Sequence, residues 1–295
     1  MPWAEVEVMR ERTVIAEEIV ASDEDPGSRA MNLTLEAAFP DSPLGWPVAG
    51  TVESIARLDR DRLGRLYPER YHPGSGLVIA TGDVDHEELV RTVAARLNGT
   101  GPQALPERPP AAPGPAAVRS CRRDELSQVH LCLAWPVFGY ADERRFALSV
   151  LNNVLGGGVS SRLFQRLRED EGLVYSISSF TELYAEAGLL AVYFAADRRR
   201  LDRCLAVLAE ELESLVRERV LAEEFDRALA MTRSSVLLAM ESPTSRMLRI
   251  ARTRQSYGRV IPVEETLAAY NRLTLEEVSE MVGTVFESAC PRVGG

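Results

Sequence analysis

A proline-rich segment limits how this chain can fold, because it interrupts regular structure just past the first third of the sequence. The segment GPQALPERPPAAPGPAA, residues 101–117, contains six prolines among alanines and glycines. Proline cannot continue a helix, and this composition favours an extended connection. We therefore predict a linker at residues 105–117 between two domains, residues 1–104 and 118–295. A length of 295 residues with 45% hydrophobic residues is enough for two cores.

The same short pattern, an apolar strand followed by a turn and an amphipathic helix, occurs on both sides of the linker. In the first half GLVIATG, Gly76–Gly82, precedes a helix that Asp85 can cap. In the second half GLLAVYFAAD, Gly188–Asp197, precedes a helix with an apolar stripe that begins at Leu201. The repetition predicts an α+β fold of two related domains, each an antiparallel-rich sheet with helices on one face.

The two domains differ in completeness. The second half has further strand signals at Gln128–Trp135 and Leu173–Phe180. The first half begins in a helix and has one clear strand, Leu77–Thr81, which cannot form a covered sheet alone. We expect the first domain to be incomplete. The last residues, CPRVGG, leave little room for another strand.

Composition excludes several classes of function. A net charge of -10 argues against nucleic acid as a partner, since phosphate binding needs a basic face. No apolar run approaches the ~18 residues of a membrane helix, and no signal peptide pattern is present. The four cysteines form no CxxC pair and are expected to be reduced. All 34 basic residues are Arg, which suggests a GC-rich bacterial genome. We expect a cytoplasmic bacterial protein that does not bind membranes.

Two glutamates in the first predicted helix, about Pro2–Ala21, are candidates for chemistry. Glu11 and Glu18 are seven residues apart, which returns them to nearly the same face after two turns. The alternative is an ordinary exposed acidic face. Histidines would be the usual companions of such carboxylates in a zinc site, but His72, His86 and His130 are not spaced as HxxEH or HExxH. Each histidine considered alone is better explained as structural.

The stretch GGGVSSRLFQRLREDEGLVYSISSF, Gly156–Phe180, combines a glycine run with a helix and a strand. The glycines should end the preceding helix in the left-handed conformation. Because they follow a helix and lack a lysine, a nucleotide-binding loop is not indicated. Arg168 then lies near a helix end and Tyr175 near a strand start, where both could donate to one carbonyl oxygen. The alternative is a buried Tyr175 on which Arg168 stacks.

SSRLFQRLREDEGLVYSISS resembles the signature of the C-terminal domain of the insulinase, pitrilysin and mitochondrial processing peptidase family, which are zinc peptidases with an inverted HxxEH motif. The resemblance extends through ERTVIAEEI, DSPLGWPVAGTVESI, YHPGSGLVIATGDVDHEEL and DERRFALSVLNNVLGGGVSSRLF. It implies that Glu18 ligates zinc and that Glu11 stabilises this ligand without contacting the metal itself. It also implies that Arg168 and Tyr175 hold a carbonyl of the peptide substrate, facing the metal across a cavity between the domains.

One departure from the family pattern is large. Family members carry HxxEH some seventy residues before the ligating glutamate, whereas only seventeen residues precede Glu18 here. The resemblance therefore implies that this chain alone is inactive and binds Zn²⁺ weakly or not at all. Either the natural protein is a longer zinc metalloendopeptidase, or the chain is a non-catalytic partner, substrate-binding subunit or assembly module. The compact LGGGVSSRLF favours the peptidase. We expect a peptide substrate, and a homodimer or a companion chain that supplies HxxEH.

Overall fold

A computed structural model describes residues 4–71, 74, 76–97, 111–287 and 290–295. His72 and residues 105–110 of the predicted linker lie outside them. The α-helices are α1 (Glu5–Glu24), α2 (Pro26–Ala38), α3 (Val52–Ala56), α4 (Arg60–Arg70), α5 (His86–Arg96), α6 (Arg145–Leu155), α7 (Leu201–Glu218), α8 (Ala222–Ala239), α9 (Pro243–Tyr257), α10 (Val263–Arg272) and α11 (Leu275–Val282). The strands are β1 (Val118–Arg119), β2 (Gln128–Phe138), β3 (Val174–Leu183), β4 (Ala187–Asp197) and β5 (Arg292–Gly294). Two π-helices span Phe164–Asp170 and Gly283–Glu287.

The chain packs as two compact units that are not contiguous in sequence. The first comprises the described residues of Met1–Glu24, Pro47–Pro109 and Ala239–Val260. The second comprises those of Asp25–Trp46, Pro110–Leu238 and Ile261–Gly295. These units differ from the contiguous spans 1–104 and 118–295 expected from the linker, because α2 packs within the second unit and α9 within the first. The contiguous division stays a prediction.

The second unit is built on a five-stranded sheet with the strand order β1-β5-β2-β4-β3. β4 pairs in antiparallel orientation with both β2 and β3, in agreement with the predicted antiparallel-rich sheet. β1 pairs with β5 in parallel. The CPRVGG segment, expected to leave little room for a strand, does form one: Val293 of β5 pairs with Val118 and Leu133. That expectation was wrong because three residues are enough to fill the space between two existing strands. The predicted α+β class is confirmed.

Alternating side chains of the central strands build two cores. On one face, Leu133 and Trp135 of β2 join Val192 and Phe194 of β4 in the main core, together with α6, α7 and α11. This face carries the helices that the sequence predicts, including the apolar stripes of α6 and α7. The period of two along each strand explains why adjacent residues enter different cores.

The opposite face of the sheet is covered by α2, a feature that the sequence prediction lacked. Cys132 and Ala134 of β2 belong to a smaller core that includes Ala30 of α2 and Phe39, which directly follows α2. Gly294 makes the close approach possible, because a Cβ there would collide with the backbone of Ala30 and Thr34. The small side chains of this face therefore let one helix lie directly on the sheet.

The first unit contains α1, α3, α4, α5 and α9 and has few buried residues. Its α4 and α5 have none among the described residues. The predicted strand at Leu77–Thr81 is wrong: the segment is irregular, and Leu77 and Val78 are each 52% exposed. A strand requires a paired neighbour, and no described segment of this unit supplies one. The helix cap at Asp85 is confirmed, since its carboxylate accepts from the Glu88 N–H at 2.7 Å.

Membrane insertion has no support in the described part of the chain. None of its helices is both long enough and apolar enough to span a bilayer.

Candidate functional site

Arg168 lies on a π-helix, a rare arrangement in which backbone bonds reach five residues back. The Glu171 N–H donates to the Arg166 carbonyl at 3.2 Å, and Gly172 ends the helix with a positive φ of 57°. Leu163 and Leu167 are fully buried, so the helix is fixed against the main core. Single π-turns are frequent at functional sites, since they shift the side chains that follow. Arg168 is exposed, with its guanidinium carbon 4.9 Å from the centre of the Phe164 ring.

Tyr175 lies at a β-bulge near the start of β3. In the pairing with β4, Val174 is opposite Ala196 and Ser176 is opposite Ala195, which leaves Tyr175 as the extra residue. A bulge redirects the side chain of the extra residue. The phenol ring points outward, and the residue is 78% exposed.

The alternative of a buried tyrosine stacked by Arg168 is therefore excluded. Tyr175 is exposed, and Arg168 lies over Phe164. Phe164 is a residue that sequence reasoning missed. Its spacing of four residues from Arg168 was an available signal, since side chains one helical turn apart are neighbours.

The glycine run holds β3 against the end of α6. The Gly156 carbonyl accepts from the Ser179 N–H at 3.0 Å, and the Asn152 carbonyl accepts from the Ser179 hydroxyl at 3.0 Å. The expectation of a left-handed conformation was wrong, because Gly156 has an extended φ of -158°. Glycine is required for space: a Cβ at Gly156 would lie 2.8 Å from the nitrogen of Ser179. The run thus positions the strand that carries Tyr175.

β3 is an edge strand, which matters for what can bind beside Tyr175. It is the last strand in the sheet order, and β4 is its only strand partner among the described residues. Its outer edge is already occupied at Ser179 by the bond to Gly156. This bond divides the outer edge into a part that contains Tyr175 and a part that follows Ser179.

Glu11 and Glu18 both lie on α1, as the spacing predicts, and both are exposed. Val8 and Ile19 are the buried residues of this helix. The Arg12 guanidinium donates to the carbonyl of Ala56, the last residue of α3, at 2.7 Å and so holds α1 against it. This exposure agrees with an acidic helix face. The assignment of Glu18 to zinc, with Glu11 as its support, stays a prediction.

The described residues do not fit a catalytic zinc site by themselves. A catalytic zinc needs three protein ligands and an open position. No group of three or more His, Cys, Asp or Glu residues is placed to hold a metal ion within the described ranges. A catalytic zinc ion at Glu18 would therefore need further ligands from outside these residues.

The histidines that the structure describes have local explanations. His130 contacts the Tyr193 hydroxyl through Nδ1 at 2.7 Å. Burial lowers the pKa of His130, and the nearby Asp25 carboxylate opposes this effect. His86 is the first residue of α5, directly after the Asp85 cap. These contacts support the structural interpretation of both residues.

Comparison with known proteins reveals a family. Residues 57–232 match the family described as "Peptidase M16 inactive domain". An uncharacterized zinc protease of Streptomyces coelicolor is 36% identical over 281 residues, which cover 93% of this chain and 61% of that protein. An uncharacterized zinc protease of Mycobacterium tuberculosis is 38% identical over 276 residues, covering 91% and 62%. The chain thus spans less than two thirds of the length of these relatives.

Solved structures share the fold over nearly the whole chain. A protease from Helicobacter pylori superposes with a TM-score of 0.89 at 16% identity, covering 99% of this chain and 72% of that chain. A peptidase M16 inactive domain from Pseudomonas fluorescens superposes with a TM-score of 0.86 at 18% identity, covering 99% and 70%. Because residues 57–232 make up more than half of the sequence, the chain belongs to the peptidase M16 family, and its resemblance to insulinase, pitrilysin and mitochondrial processing peptidase is confirmed.

Proposed function

We propose that this chain is the substrate-binding part of a zinc-dependent metalloendopeptidase that cleaves extended peptides. In this proposal Arg168 and Tyr175 hold a backbone carbonyl of the peptide, and Glu18 ligates a zinc ion whose other ligands come from an HxxEH segment outside this chain. The observation that carries the proposal is the outward Tyr175 at the bulge of an open edge strand, seven residues after the exposed Arg168. The names of the relatives, which are zinc proteases, support the reaction class.

The chemistry of the two side chains suits a peptide carbonyl. A guanidinium has several N–H donors and no acceptor, and a phenol can donate one O–H. A carbonyl oxygen has two lone pairs, so it can accept from both groups at once. The stacking of Arg168 on Phe164 restricts the guanidinium before a peptide arrives, which lowers the entropy lost on binding.

The edge of β3 offers a second kind of contact. Extended peptides often bind by adding a strand to an open sheet edge through backbone hydrogen bonds, which tolerate many sequences. On β3 the part of the edge that precedes Ser179 is separated from the rest, because the Ser179 N–H is bonded to Gly156. Tyr175 is in this part. We infer that a peptide would pair beside Tyr175 and stop before Ser179.

The described residues support peptide binding, not hydrolysis. They lack a set of ligands that could hold zinc, so no hydrolytic step can be derived from them. The purified chain should therefore bind peptides without cleaving them, even when zinc is added.

Peptide binding can be measured by fluorescence anisotropy with labelled, unstructured peptides. Arg168→Ala should weaken the affinity by about 10- to 100-fold, because a hydrogen bond to a charged group contributes about 1.5–3 kcal/mol. Tyr175→Phe removes a neutral donor of about 0.5–1.5 kcal/mol and should cost about 2- to 10-fold. Arg199→Ala is the matched control, since the Arg199 side chain is 89% exposed and is not one of the two residues proposed to hold the peptide carbonyl.

Two results would contradict the proposal. If Arg168→Ala and Arg199→Ala bind the peptides equally well, Arg168 does not hold the substrate. If mass spectrometry shows that the purified chain cleaves peptides when zinc is added, the HxxEH ligands are not needed for hydrolysis.

A non-catalytic partner subunit is the second candidate. The family description, which names an inactive domain, favours it. An in-frame HxxEH in the DNA upstream of Met1 would decide for the peptidase, whereas a separate gene for the HxxEH part would decide for the partner. Both candidates keep the peptide-binding role of Arg168 and Tyr175, and in both a cytoplasmic location stays a proposal.

A further inference from the structure

A buried ion pair lies at the start of the helical segment that carries Arg168. Arg162 donates from Nε to Glu224 Oε1 and from Nη2 to Glu224 Oε2, both at 2.7 Å. The two side chains are only 11% and 16% exposed. Such a two-point pairing fixes orientation as well as distance, which a lysine at position 162 could not do.

The same pair holds the turn between α7 and α8. The Arg162 Nη2 also donates to the Arg219 carbonyl at 3.0 Å, and Glu224 Oε2 accepts from the Leu221 N–H at 2.9 Å. Arg219 has a φ of 64° and a ψ of -166°, a conformation that favours glycine. A side chain in this region persists only where its surroundings impose it. Arg162 and Glu224 supply that constraint, and Glu287 adds to it through a 2.9 Å bond to the Arg219 side chain.

The π-helix Phe164–Asp170 is anchored just beyond its other end as well. Arg203 donates to the Glu171 carboxylate at 2.6 Å, and Arg200 donates to the Gly172 carbonyl at 2.7 Å. A π-helix is rare because an ordinary α-helix is more stable for most sequences. A change to the α-helical register would turn Arg168 away from its present direction. External anchors on both sides of the segment therefore determine where the Arg168 guanidinium points.

We propose that Arg162 is a positioning residue for Arg168. Through Glu224 and the Arg219 carbonyl, it holds the first turn of the segment in the register that sets the direction of the Arg168 side chain over Phe164. The effect of Arg162 on peptide binding rests on the proposed function, whereas its effect on the order of the π-helix does not.

Two measurements on Arg162→Lys test the proposal. Hydrogen exchange of the amides in residues 164–171 should become about tenfold faster, because a lysine cannot make the two-point pairing with Glu224 and local opening then breaks fewer hydrogen bonds. Arg162→Lys should weaken the affinity for labelled peptides by about tenfold when Arg168 is present. In a protein that already carries Arg168→Ala it should weaken the affinity by less than about twofold, since the effects of coupled substitutions are not additive. Glu224→Gln, which keeps the shape of the side chain, should behave in the same way. Arg122→Lys is the control, because Arg122 pairs with Asp124 where both side chains are 75% exposed.

The outcomes separate this proposal from the proposed function. Unchanged exchange in residues 164–171 of both variants would overturn the anchoring role, whether or not peptides bind. Faster exchange together with additive effects on affinity would overturn the positioning role and leave a merely structural one. If Arg168→Ala alone leaves the affinity for peptides unchanged, both the proposed function and the positioning role of Arg162 are overturned. The hydrogen-exchange result would still decide whether Arg162 anchors the π-helix.

Discussion

Replacing Gly156 by alanine tests the packing that places β3 and Tyr175. The φ of Gly156 is negative, so a left-handed conformation is not the reason for glycine at this position. The added methyl group is the problem, because it would lie 2.8 Å from both the nitrogen and the hydroxyl oxygen of Ser179. Real Cβ atoms do not approach so closely, and β3 must therefore move away from the end of α6.

Two contributions set the magnitude. Overpacking a closely packed site costs about 1–3 kcal/mol. The displacement also lengthens the bond from the Ser179 N–H to the Gly156 carbonyl, which contributes about 0.5–1.5 kcal/mol. Gly156→Ala should therefore lower the free energy of unfolding by about 2–4 kcal/mol.

Gly158→Ala is the matched control in the same glycine run. Its Cβ would meet only the sulfur and methyl carbon of Met231, at an ordinary contact distance of 3.6 Å. Gly158 is not among the described glycines with positive φ. Both alanines restrict the unfolded chain equally, so this contribution cancels in the comparison. We expect a change within about 0.5 kcal/mol for the control.

Urea denaturation followed by circular dichroism gives both free energies of unfolding. Peptide affinity at low temperature, where both variants are folded, reports whether Tyr175 has moved. Equal stability of Gly156→Ala and Gly158→Ala would refute the argument that close approach, rather than conformation, requires glycine at position 156.

Two further predictions concern the rest of the molecule. Burial lowers the pKa of His130 below its ordinary value of 6.5. As the pH falls through 6.5, the imidazole of His130 is therefore protonated in the unfolded chain before it is protonated in the folded chain, and the free energy of unfolding decreases. The urea concentration at the unfolding midpoint should decrease as the pH is lowered from about 7.5 to about 5.5, and the decrease should be smaller in His130→Gln. Equal decreases in the two proteins would contradict the assignment to His130. The first unit exposes large apolar side chains, including Val6 at 62% and Met9 at 58% on α1 and Tyr71 at 69% just after α4, so the purified chain should self-associate. Sedimentation velocity should detect dimers or larger species, and a monomer at all concentrations would show that this surface needs no partner.

Local patterns were sufficient for much of the second unit. Apolar stretches correctly predicted β2, β3 and β4, and helical periodicity correctly predicted α6 and α7. The spacing of Glu11 and Glu18 correctly placed both on one helix, and the resemblance to a peptidase family followed from the sequence alone. These features depend on residues close together in the chain, where backbone geometry dictates which side chains share a face.

Contacts between distant residues decided the rest. The bulge at Tyr175 arises from pairing with β4, the glycine at position 156 is required by Ser179, and α2 covers a sheet whose strands begin some ninety residues later. The Arg162–Glu224 pair joins residues 62 positions apart. The sequence by itself determined which residues carry guanidinium, phenol and carboxylate groups, because chemical character is local. Only the tertiary structure decided the direction in which Arg168 and Tyr175 point, because packing against remote segments selects the π-helical register and the bulge over the regular alternatives.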